Sequence, residues 1–320
     1  MQNKTKIAYR YSDICLVPQK GILTSRSKAD TSVTLGNRTF MLPIVPSNMK
    51  CTIDSQLAHT LSYEGYFYIM HRFLDNINFI REAINNSHYI SLSVGIKAED
   101  RLLIKHIKEN NIFVEYITLD IAHGHCIQAL EMIEFIKENL PDTFVIAGNI
   151  ATPEAAIDLE LAGANAVKVG IGQGNACTTK DKTGFTMPMF TCVRNVAEKT
   201  KLPIIADGGV RCNGDIAKAI AAGASMVMSG SLFAECNDSP SDIVTDEYGT
   251  TYKLYYGSAS IHNKTENRHI EGTLKKIPQN SMTYLHKLEE IRQDLASAIS
   301  YSGGNTLNNL KFVDYYTILN

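Results

Sequence analysis

One cysteine of this chain lies in a setting that could make it a nucleophile. Residues 170–180 read Gly-Ile-Gly-Gln-Gly-Asn-Ala-Cys-Thr-Thr-Lys, so a glycine-rich turn precedes Cys177. A thiol beside amide donors and a lysine can ionise and attack carbon, although a purely structural thiol is the alternative. The glycines do not complete a dinucleotide-binding fingerprint, because Asn175 stands where its last glycine belongs. The backbone carbonyls of the same turn could hold a monovalent cation.

Two further segments carry turns of the kind that binds phosphate. Residues 207–211 read Asp-Gly-Gly-Val-Arg and residues 229–232 read Ser-Gly-Ser-Leu, and each segment ends an apolar run. Glycines let backbone amides approach an anion, and barrels often bind phosphate after their last two strands. Tight strand-to-helix turns without a ligand are the alternative. The pattern favours a phosphorylated ligand close to Cys177, with Asp207 available for ribose hydroxyls or for capping a loop.

Other polar residues allow weaker interpretations. His123 and His125 follow an apolar run, but two histidines without a third ligand do not predict a metal site, and solvent-facing loop positions are the better reading. Glu271 could act as an acid or base, and Arg268 could fix an anionic ligand. By themselves, these two residues would be read as part of a solvated loop.

The elements that must position these residues follow from eight short apolar runs separated by amphipathic stretches. Parallel strands covered on both faces read this way, and eight such units predict an α/β fold of the (β/α)8 TIM-barrel type. An Ala-Gly-Ala segment recurs at 162–164 and 222–224, as expected for repetition of two units. The predicted strands are Leu42–Ser47, Tyr66–His71, Tyr89–Gly95, Tyr116–Ile121, Phe144–Gly148, Ala166–Gly170, Pro203–Asp207 and Met226–Gly230.

The length of 320 residues allows two small domains or one large barrel, and the strand pattern favours a single barrel domain. Its core is expected at about 40–235, a long loop at about 236–282 that forms a flap, and a C-terminal helix with a tail at 283–320. Residues 173–190 form a second long connection. Both connections follow strand ends and should rise over the catalytic face.

Composition excludes several classes of protein. The chain has 31 basic and 33 acidic residues, a formal charge of −2 and no basic cluster, which argues against nucleic-acid binding. No secretory signal or membrane-spanning stretch is evident, so a cytosolic location is expected. The seven cysteines form no CxxC pair, so neither a disulfide framework nor a zinc site is predicted.

Taken together, the segments 170–180, 206–209, 256–260 and 270–272 resemble the IMP dehydrogenase/GMP reductase family. The resemblance extends from Tyr11 to Gly304, and its most specific parts are the Cys-Thr-Thr loop and the Asp-Gly-Gly strand end. Two departures are Gln173, where the family usually has proline, and Lys180, where arginine is common. They put the cation site and the stiffness of the loop in doubt more than the chemistry.

Two features favour the reductase branch over the dehydrogenase branch of this family. The dehydrogenases usually carry a regulatory module after the second strand, but here one helix alone separates Met70–Phe73 from the next strand. They also use an Arg-Tyr pair on the flap to activate water, whereas this chain offers Ile270-Glu-Gly272. The resemblance therefore implies reductive deamination of GMP by NADPH to IMP and ammonia, in purine salvage.

The roles that the resemblance implies fall into three groups. Cys177 would attack purine C2 and form a thioimidate, and Thr179 with Glu271 would help to protonate the departing amine. The phosphate and ribose of GMP would contact Asp207, Gly208, Gly209, Gly230 and Ser231. The base would be surrounded by Gly257, Ser258, Arg268, Glu271 and Gly272.

Cofactor and subunit contacts are also implied by similarity. A potassium ion would be held by carbonyls of Gly172, Gly174 and Cys177, and the family's tetramers imply a homotetramer. Ser25 and Arg26 would reach the cofactor of a neighbouring subunit. The NADPH of the same subunit would lie along Asp120 and Ala122, near Arg72 and the stretch from Ser297 to Ser300.

Three alternatives stay open at this stage. An IMP dehydrogenase without the module would use the same Cys177 adduct, hydrolyse it and prefer NAD+. A barrel that binds purine nucleotides without catalysis would bind GMP even as a Cys177→Ala variant. A flavin-dependent barrel is a more distant possibility.

Overall fold

The computed structural model describes residues 6–260 and 271–318. Its strands are β1 (Ile14–Leu16), β2 (Val33–Leu35), β3 (Arg38–Phe40), β4 (Ile44–Pro46), β5 (Ser91–Val94), β6 (Tyr116–Asp120), β7 (Phe144–Ile150), β8 (Ala166–Val169), β9 (Ile204–Asp207), β10 (Met226–Ser229), β11 (Ile243–Thr245), β12 (Thr251–Tyr256), β13 (Leu274–Pro278) and β14 (Tyr315–Thr317). Arg268 and Ile270 lie outside the described residues.

The helices alternate with the parallel strands. They are α1 (Ser55–Tyr63), α2 (Asn76–Asn85), α3 (Ala98–Glu109), α4 (Ile127–Asn139), α5 (Pro153–Leu161), α6 (Thr179–Thr183), α7 (Met189–Ala197), α8 (Asn213–Ala221), α9 (Ser231–Ala234) and α10 (Tyr284–Tyr301). Short 3-10 helices span Tyr11–Asp13, Arg26–Lys28 and Leu307–Phe312.

A parallel sheet of seven strands forms the centre of the fold, in the order β4-β10-β9-β8-β7-β6-β5. From β5 to β10, consecutive strands are neighbours because each returns through a helix, and β4 pairs with β10 at one edge of the sheet. The strands are almost entirely buried, as continuous apolar runs predict for a sheet covered on both faces. The predicted α/β class is therefore confirmed, and seven of the eight predicted strands are present.

The second predicted strand, Tyr66–His71, is reduced to one bridge between Met70 and Leu92. Its backbone donors find other partners: the Tyr66 N–H donates to the Leu61 carbonyl, and the Tyr68 N–H donates to the Tyr89 hydroxyl at 3.1 Å. The segment is buried, as expected, but a regular ladder cannot form when these groups are already bonded.

Helix boundaries follow from capping residues. Thr152 accepts from the Ala155 N–H and Pro153 opens α5, which fits the preference for a hydroxyl followed by proline. Thr283 caps α10 by accepting from the His286 N–H. The helix predicted from Thr283 to Ser300 is thus confirmed with a shift of one residue at each end.

The flap predicted as a polar loop at about 236–282 contains an antiparallel sheet of β11, β12 and β13. Strand β12 alternates buried and less buried positions, and its buried face includes Lys253 and Tyr255. The Lys253 ammonium donates to the carbonyls of Asn237 and Ser239 at 3.0 and 2.9 Å. A lysine at a core position hid the alternation that would have predicted this strand.

The two ends of the described chain pair with each other. Strand β14 is antiparallel to β1, so the tail lies beside the N-terminal segment. Within the described residues, no helix is long and apolar enough to cross a bilayer.

Candidate active site

A cleft of about 410 Å³ opens where the parallel strands end. Strand ends from β4 and β6 to β10 line one side, and residues of the flap line the other. This volume falls within the usual range of small-molecule sites, and the carboxyl ends of parallel strands are where such sites form. The sequence-predicted residues can therefore be compared with the lining of one cleft.

The glycine-rich turn holds Cys177 at the edge of this cleft. The Cys177 N–H donates to the Gly174 carbonyl at 3.0 Å, and the Gly209 N–H donates to the Gln173 carbonyl at 3.0 Å. Gly172 adopts a φ of +74°, which favours glycine. The short helix α6 begins two residues after the cysteine, where the sequence predicted irregular chain. The turn is thus tied to the predicted phosphate loop after β9.

Three predicted catalytic residues form a continuous chain of contacts. The Cys177 thiol donates to the Thr179 hydroxyl at 3.1 Å, and that hydroxyl donates to the Glu271 carboxylate at 2.5 Å. All three residues line the cleft. A thiol is therefore in contact with a hydroxyl, which is in contact with a carboxylate that can accept a proton.

The backbone on both sides fixes Glu271 against the cysteine loop. The Thr178 N–H donates to the Glu271 carbonyl at 3.0 Å, and the Thr273 N–H donates to the Ala176 carbonyl at 2.9 Å. Between them, Cys177 and Gly272 form an antiparallel bridge. Gly272, predicted beside the base, therefore takes part in this backbone ladder and does not line the cleft.

The predicted phosphate loops lie together in the cleft. Gly208, Gly209, Gly230 and Ser231 all contribute to its lining. A Cβ atom on Gly230 would lie 2.3 Å from the Tyr255 hydroxyl, so no larger residue fits there without movement. Gly257 and Ser258, predicted near the base, line the opposite side of the cleft.

A buried lysine joins two of the predicted binding residues. The Lys168 ammonium donates to Asp120 at 2.7 Å and to Asp207 at 3.1 Å. Asn149 also donates to Asp207, at 2.8 Å. Burial alone would raise the pKa of Asp120, but Lys168 and then Arg72 outweigh burial, so the pKa lies below its usual value. Burial would lower the pKa of Lys168, but the two carboxylates raise it instead.

Three residues predicted to bind the NADPH of the same subunit also line the cleft. Asp120, Ala122 and Arg72 line the same end of it. The Arg72 Nε atom is buried and has no hydrogen-bond partner among the described residues. Buried donors normally have partners, so this N–H is suited to an oxygen atom of a ligand.

The remaining cofactor residues form a separate group on the surface. Arg26 donates to the Ser297 hydroxyl at 3.3 Å and to the Tyr301 hydroxyl at 3.2 Å, and its guanidinium lies over the Tyr301 ring. Ser25 caps the 3-10 helix that begins at Arg26. Neither these residues nor Ser300 line the cleft.

The two histidines that follow β6 do not form a metal site with other residues of the described chain. His125 lies 2.8 Å from Asp158, which ties the loop after β6 to α5, and His123 is exposed. In the described ranges, no group of three or more His, Cys, Asp or Glu residues could hold a metal ion. The Gly174 carbonyl already accepts the Cys177 N–H and has one lone pair left for a cation.

Sequence reasoning missed several residues of the cleft, among them Lys168, Asn149 and Tyr255. A lysine within the apolar run Ala-Val-Lys-Val was the available signal for the first, because a charged residue in a buried strand needs a partner. Asn149 lies one residue beyond the predicted end of its strand. Tyr255 could be assigned to the cleft only from the flap sheet, because it lies on β12.

Comparison with known proteins decides the family. The family model described as "IMP dehydrogenase / GMP reductase domain" matches residues 8–316. The chain belongs to the IMP dehydrogenase/GMP reductase family. The family inferred from the Cys-Thr-Thr loop and the Asp-Gly-Gly strand end is thereby confirmed.

Individual relatives cover the same length. The chain is 48% identical over 316 residues to a protein of Bacillus licheniformis named GMP reductase, a match that spans 98% of this chain and 96% of the relative. A Streptococcus pyogenes serotype M4 protein with the same name is 50% identical over 317 residues, 98% of this chain and 95% of the relative. A third, from Lactobacillus delbrueckii subsp. bulgaricus, is 46% identical, with 98% and 96% covered.

Proposed function

We propose that this chain catalyses the reductive deamination of GMP by NADPH, which yields IMP, ammonia and NADP+. The observation that carries the proposal is the contact of Thr179 with both Cys177 and Glu271 at the edge of the cleft. Full-length relatives named GMP reductase support the choice of substrate. The absence of an Arg-Tyr pair from the sequence of the flap supports the reductase over the dehydrogenase reaction.

The contacts supply a path for the proton that the reaction needs. As the Cys177 thiol bonds to purine C2, its proton passes to the Thr179 hydroxyl, which passes its own proton to Glu271. Glu271 then returns a proton through Thr179 to the amine, and the C2–N bond breaks. The departing amine leaves as ammonia, and a thioimidate between Cys177 and C2 remains. An aromatic amine leaves poorly without such a covalent intermediate and a proton donor.

The nucleotide is proposed to occupy the side of the cleft with the glycine turns. Its phosphate would contact the backbone at Gly208, Gly209, Gly230 and Ser231, and its ribose hydroxyls would donate to Asp207. Gly257 and Ser258 would contact the base from the flap, and Gly272 and Arg268 would adjoin it. The Tyr255 hydroxyl, next to Gly230, is a further candidate for the phosphate.

The cofactor is proposed to enter beside Asp120 and Ala122. The unpaired Nε of Arg72 fits a carboxamide or phosphate oxygen of a dinucleotide. When bound, NADPH supplies the hydride that reduces purine C2. The chain's own task is to hold the purine against this position and to keep water away from the Cys177 adduct. The Cys177 thiolate would leave once hydride addition has made C2 tetrahedral, so that the C2–N3 double bond of IMP forms, and a proton from solvent would restore the thiol.

Subunit and ion contacts are part of the proposal. Because Arg26 contacts Ser297 of its own chain, we infer that Ser297 and Ser300 lie with Ser25 and Arg26 beside the cofactor of a neighbouring subunit, and not beside that of their own subunit as the resemblance implied. This arrangement is proposed for a homotetramer located in the cytosol. A potassium ion bound by carbonyls of Gly172, Gly174 and Cys177 would stiffen the turn that carries the nucleophile.

The eighth position of the barrel is proposed for residues 66–71. This segment is buried, and its bridge from Met70 to Leu92 places it beside β5. It would complete a (β/α)8 barrel that forms a single domain with the flap and the C-terminal helix.

Incubation of the pure protein with GMP and NADPH tests the proposal. Loss of NADPH absorbance that depends on GMP, with IMP and ammonia as products, is the expected result. The Cys177→Ala variant serves as the matched control and should be inactive. NADH production from IMP and NAD+, without oxidation of NADPH by GMP, would instead identify a dehydrogenase. Binding of GMP without turnover in either direction would indicate a non-catalytic barrel.

A further inference from the structure

Lys168 is a buried cation in the cleft that the proposed proton path does not use. Its side chain is 3% exposed, and its ammonium contacts Asp120 at 2.7 Å and Asp207 at 3.1 Å. These two carboxylates come from different strands, β6 and β9, with β7 and β8 between them. One cation therefore connects two acidic residues that have different proposed ligands.

The two carboxylates need this cation for a physical reason. Each lies in a largely buried setting, with side-chain exposures of 13% and 20%, and like charges that share such a site repel each other. A buried carboxylate without a partner either takes up a proton or moves toward solvent. Both responses would spoil its use as an acceptor for ligand hydroxyl or amide groups.

We propose that Lys168 is a positioning residue that holds Asp207 for the nucleotide and Asp120 for the dinucleotide at the same time, so that both ligand sites depend on one ammonium. This inference rests on the proposed function and extends it to a residue outside the reacting atoms. Lys168 acts through the two carboxylates: its ammonium orients both of them, and it keeps Asp120 ionised. Asn149 adds a second donor to Asp207, and Asn48 and Arg72 act on Asp120. Among the described residues, none of these three contacts both carboxylates as Lys168 does.

Other polar and titratable groups also surround the two carboxylates. Arg72 acts on Asp120 from the segment after residue 70, and Asn48 donates to it from the loop after β4. Tyr11 and Tyr255 face Asp207, and burial raises the pKa of both, so they stay neutral. Lys168 is the cation that contacts both carboxylates among the described residues.

Steady-state kinetics of three variants test the proposal. We expect Lys168→Met to raise KM for GMP and KM for NADPH by about tenfold or more each, and Lys168→Arg to recover most of both. In Lys168→Met/Asp120→Asn, the charge repulsion is gone. KM for GMP should then return to within about threefold of wild type, while KM for NADPH stays raised because its acceptor is lost.

The opposite outcomes are distinct. If Lys168→Met changes only one of the two KM values, or if KM for GMP does not recover in the double variant, the two ligand sites do not both depend on Lys168. Either result would overturn this inference and leave GMP reduction by the wild type standing. Absence of turnover in the wild type would instead overturn the proposed function. In that case, the unfolding temperature of the ligand-free protein at two pH values still tests whether Lys168 pairs with the buried carboxylates.

The unfolding temperature of the ligand-free protein provides this measurement. Lys168→Met removes the group that lowers the pKa of Asp120 most. We therefore expect burial to raise this pKa in the variant, so that the folded state gains stability as Asp120 takes up a proton. The deficit of Lys168→Met relative to wild type should therefore shrink by about 3 °C or more between about pH 8 and pH 5. The double variant should show no such change.

Lys253→Met is the matched control, because Lys253 is also buried but its ammonium donates to backbone carbonyls. Its deficit should be the same at both pH values. An equally constant deficit in Lys168→Met would show that Lys168 contributes packing alone, and would overturn the inference. If Lys168→Met does not fold, the KM values and unfolding temperatures of the double variant and of Lys168→Arg are compared with those of wild type instead.

Discussion

The Thr179 hydroxyl donates to the Glu271 carboxylate over 2.5 Å, across 92 residues of sequence. The same hydroxyl accepts from the Cys177 thiol. Thr179 thereby makes the nucleophile and the acid–base group of the proposed reaction into one unit. Backbone bonds from Thr178 and Thr273 hold the two chain segments together at this point.

Removal of the nucleophile should separate binding from chemistry. Cys177→Ala is expected to abolish turnover and to keep the affinity for GMP within about tenfold, because the proposed phosphate contacts lie on other loops. Calorimetric titration with GMP and the NADPH assay measure the two quantities. Residual turnover within a few-fold of wild type would rule out the covalent route.

Loss of the proton acceptor should act on one step of the reaction. Glu271→Gln keeps the shape of the side chain but cannot receive the proton from Thr179, so release of ammonia should slow by about a hundredfold or more. Hydride transfer, followed in reverse from IMP and NADP+ in a single turnover, should slow much less. Equal slowing of both steps would count against this role for Glu271.

The backbone ladder should be needed to hold Glu271 in place. Thr273→Pro removes the N–H that donates to the Ala176 carbonyl, and kcat should fall by about tenfold or more as the Glu271 contact loosens. Thr273→Val retains the backbone donor and serves as the control, with kcat close to wild type. Equal kcat values for the two variants would show that the ladder does not position Glu271.

The close packing of side chains around Gly230 should be needed for binding of GMP. A Cβ atom there would lie 2.3 Å from the Tyr255 hydroxyl and 2.7 Å from Met49, so Gly230→Ala must displace part of the cleft wall. We expect KM for GMP to rise about tenfold with a smaller change in kcat. In the control Gly214→Ala, the nearest atom is 4.0 Å away, and KM should not change. An unchanged KM in Gly230→Ala would exclude this wall from the GMP site.

Acid should destabilise the fold through His71. Burial, together with the nearby Lys50, lowers the pKa of His71 to about 4, and its ring accepts the Phe73 N–H at 3.2 Å. The unfolded chain takes up this proton near its ordinary pKa of about 6.5, so the stabilising contribution is present above that pH and is lost as pH falls toward 4.

The His71→Gln variant isolates this contribution. Between about pH 7 and pH 4, wild type should lose on the order of 3 kcal/mol more free energy of unfolding than the variant does. Urea unfolding at the two pH values measures it. His88 and the carboxyl groups titrate in both proteins and cancel in the comparison. Parallel losses in the two proteins would refute the assignment to His71.

The sequence by itself determined the α/β class, the approximate strands and the reactive turn. These depend on local patterns: apolar runs for buried strands, and glycines with small polar residues where strands end. The turns at Cys177 and Asp207 converge because the carboxyl ends of parallel strands share one edge. Helix α10 was predictable for the same reason, since its cap and its amphipathic period lie within one segment.

Only the tertiary structure decided which distant residues meet. The pairing of Thr179 with Glu271, and the placement of Lys168 between Asp120 and Asp207, arise from contacts between separate chain segments that no local pattern encodes. The same holds for residues 66–71, where a tyrosine hydroxyl took a donor that a strand would have used. Burial and pairing of polar groups depend on the assembled fold, because the free energy of a buried charge is set by its neighbours in space.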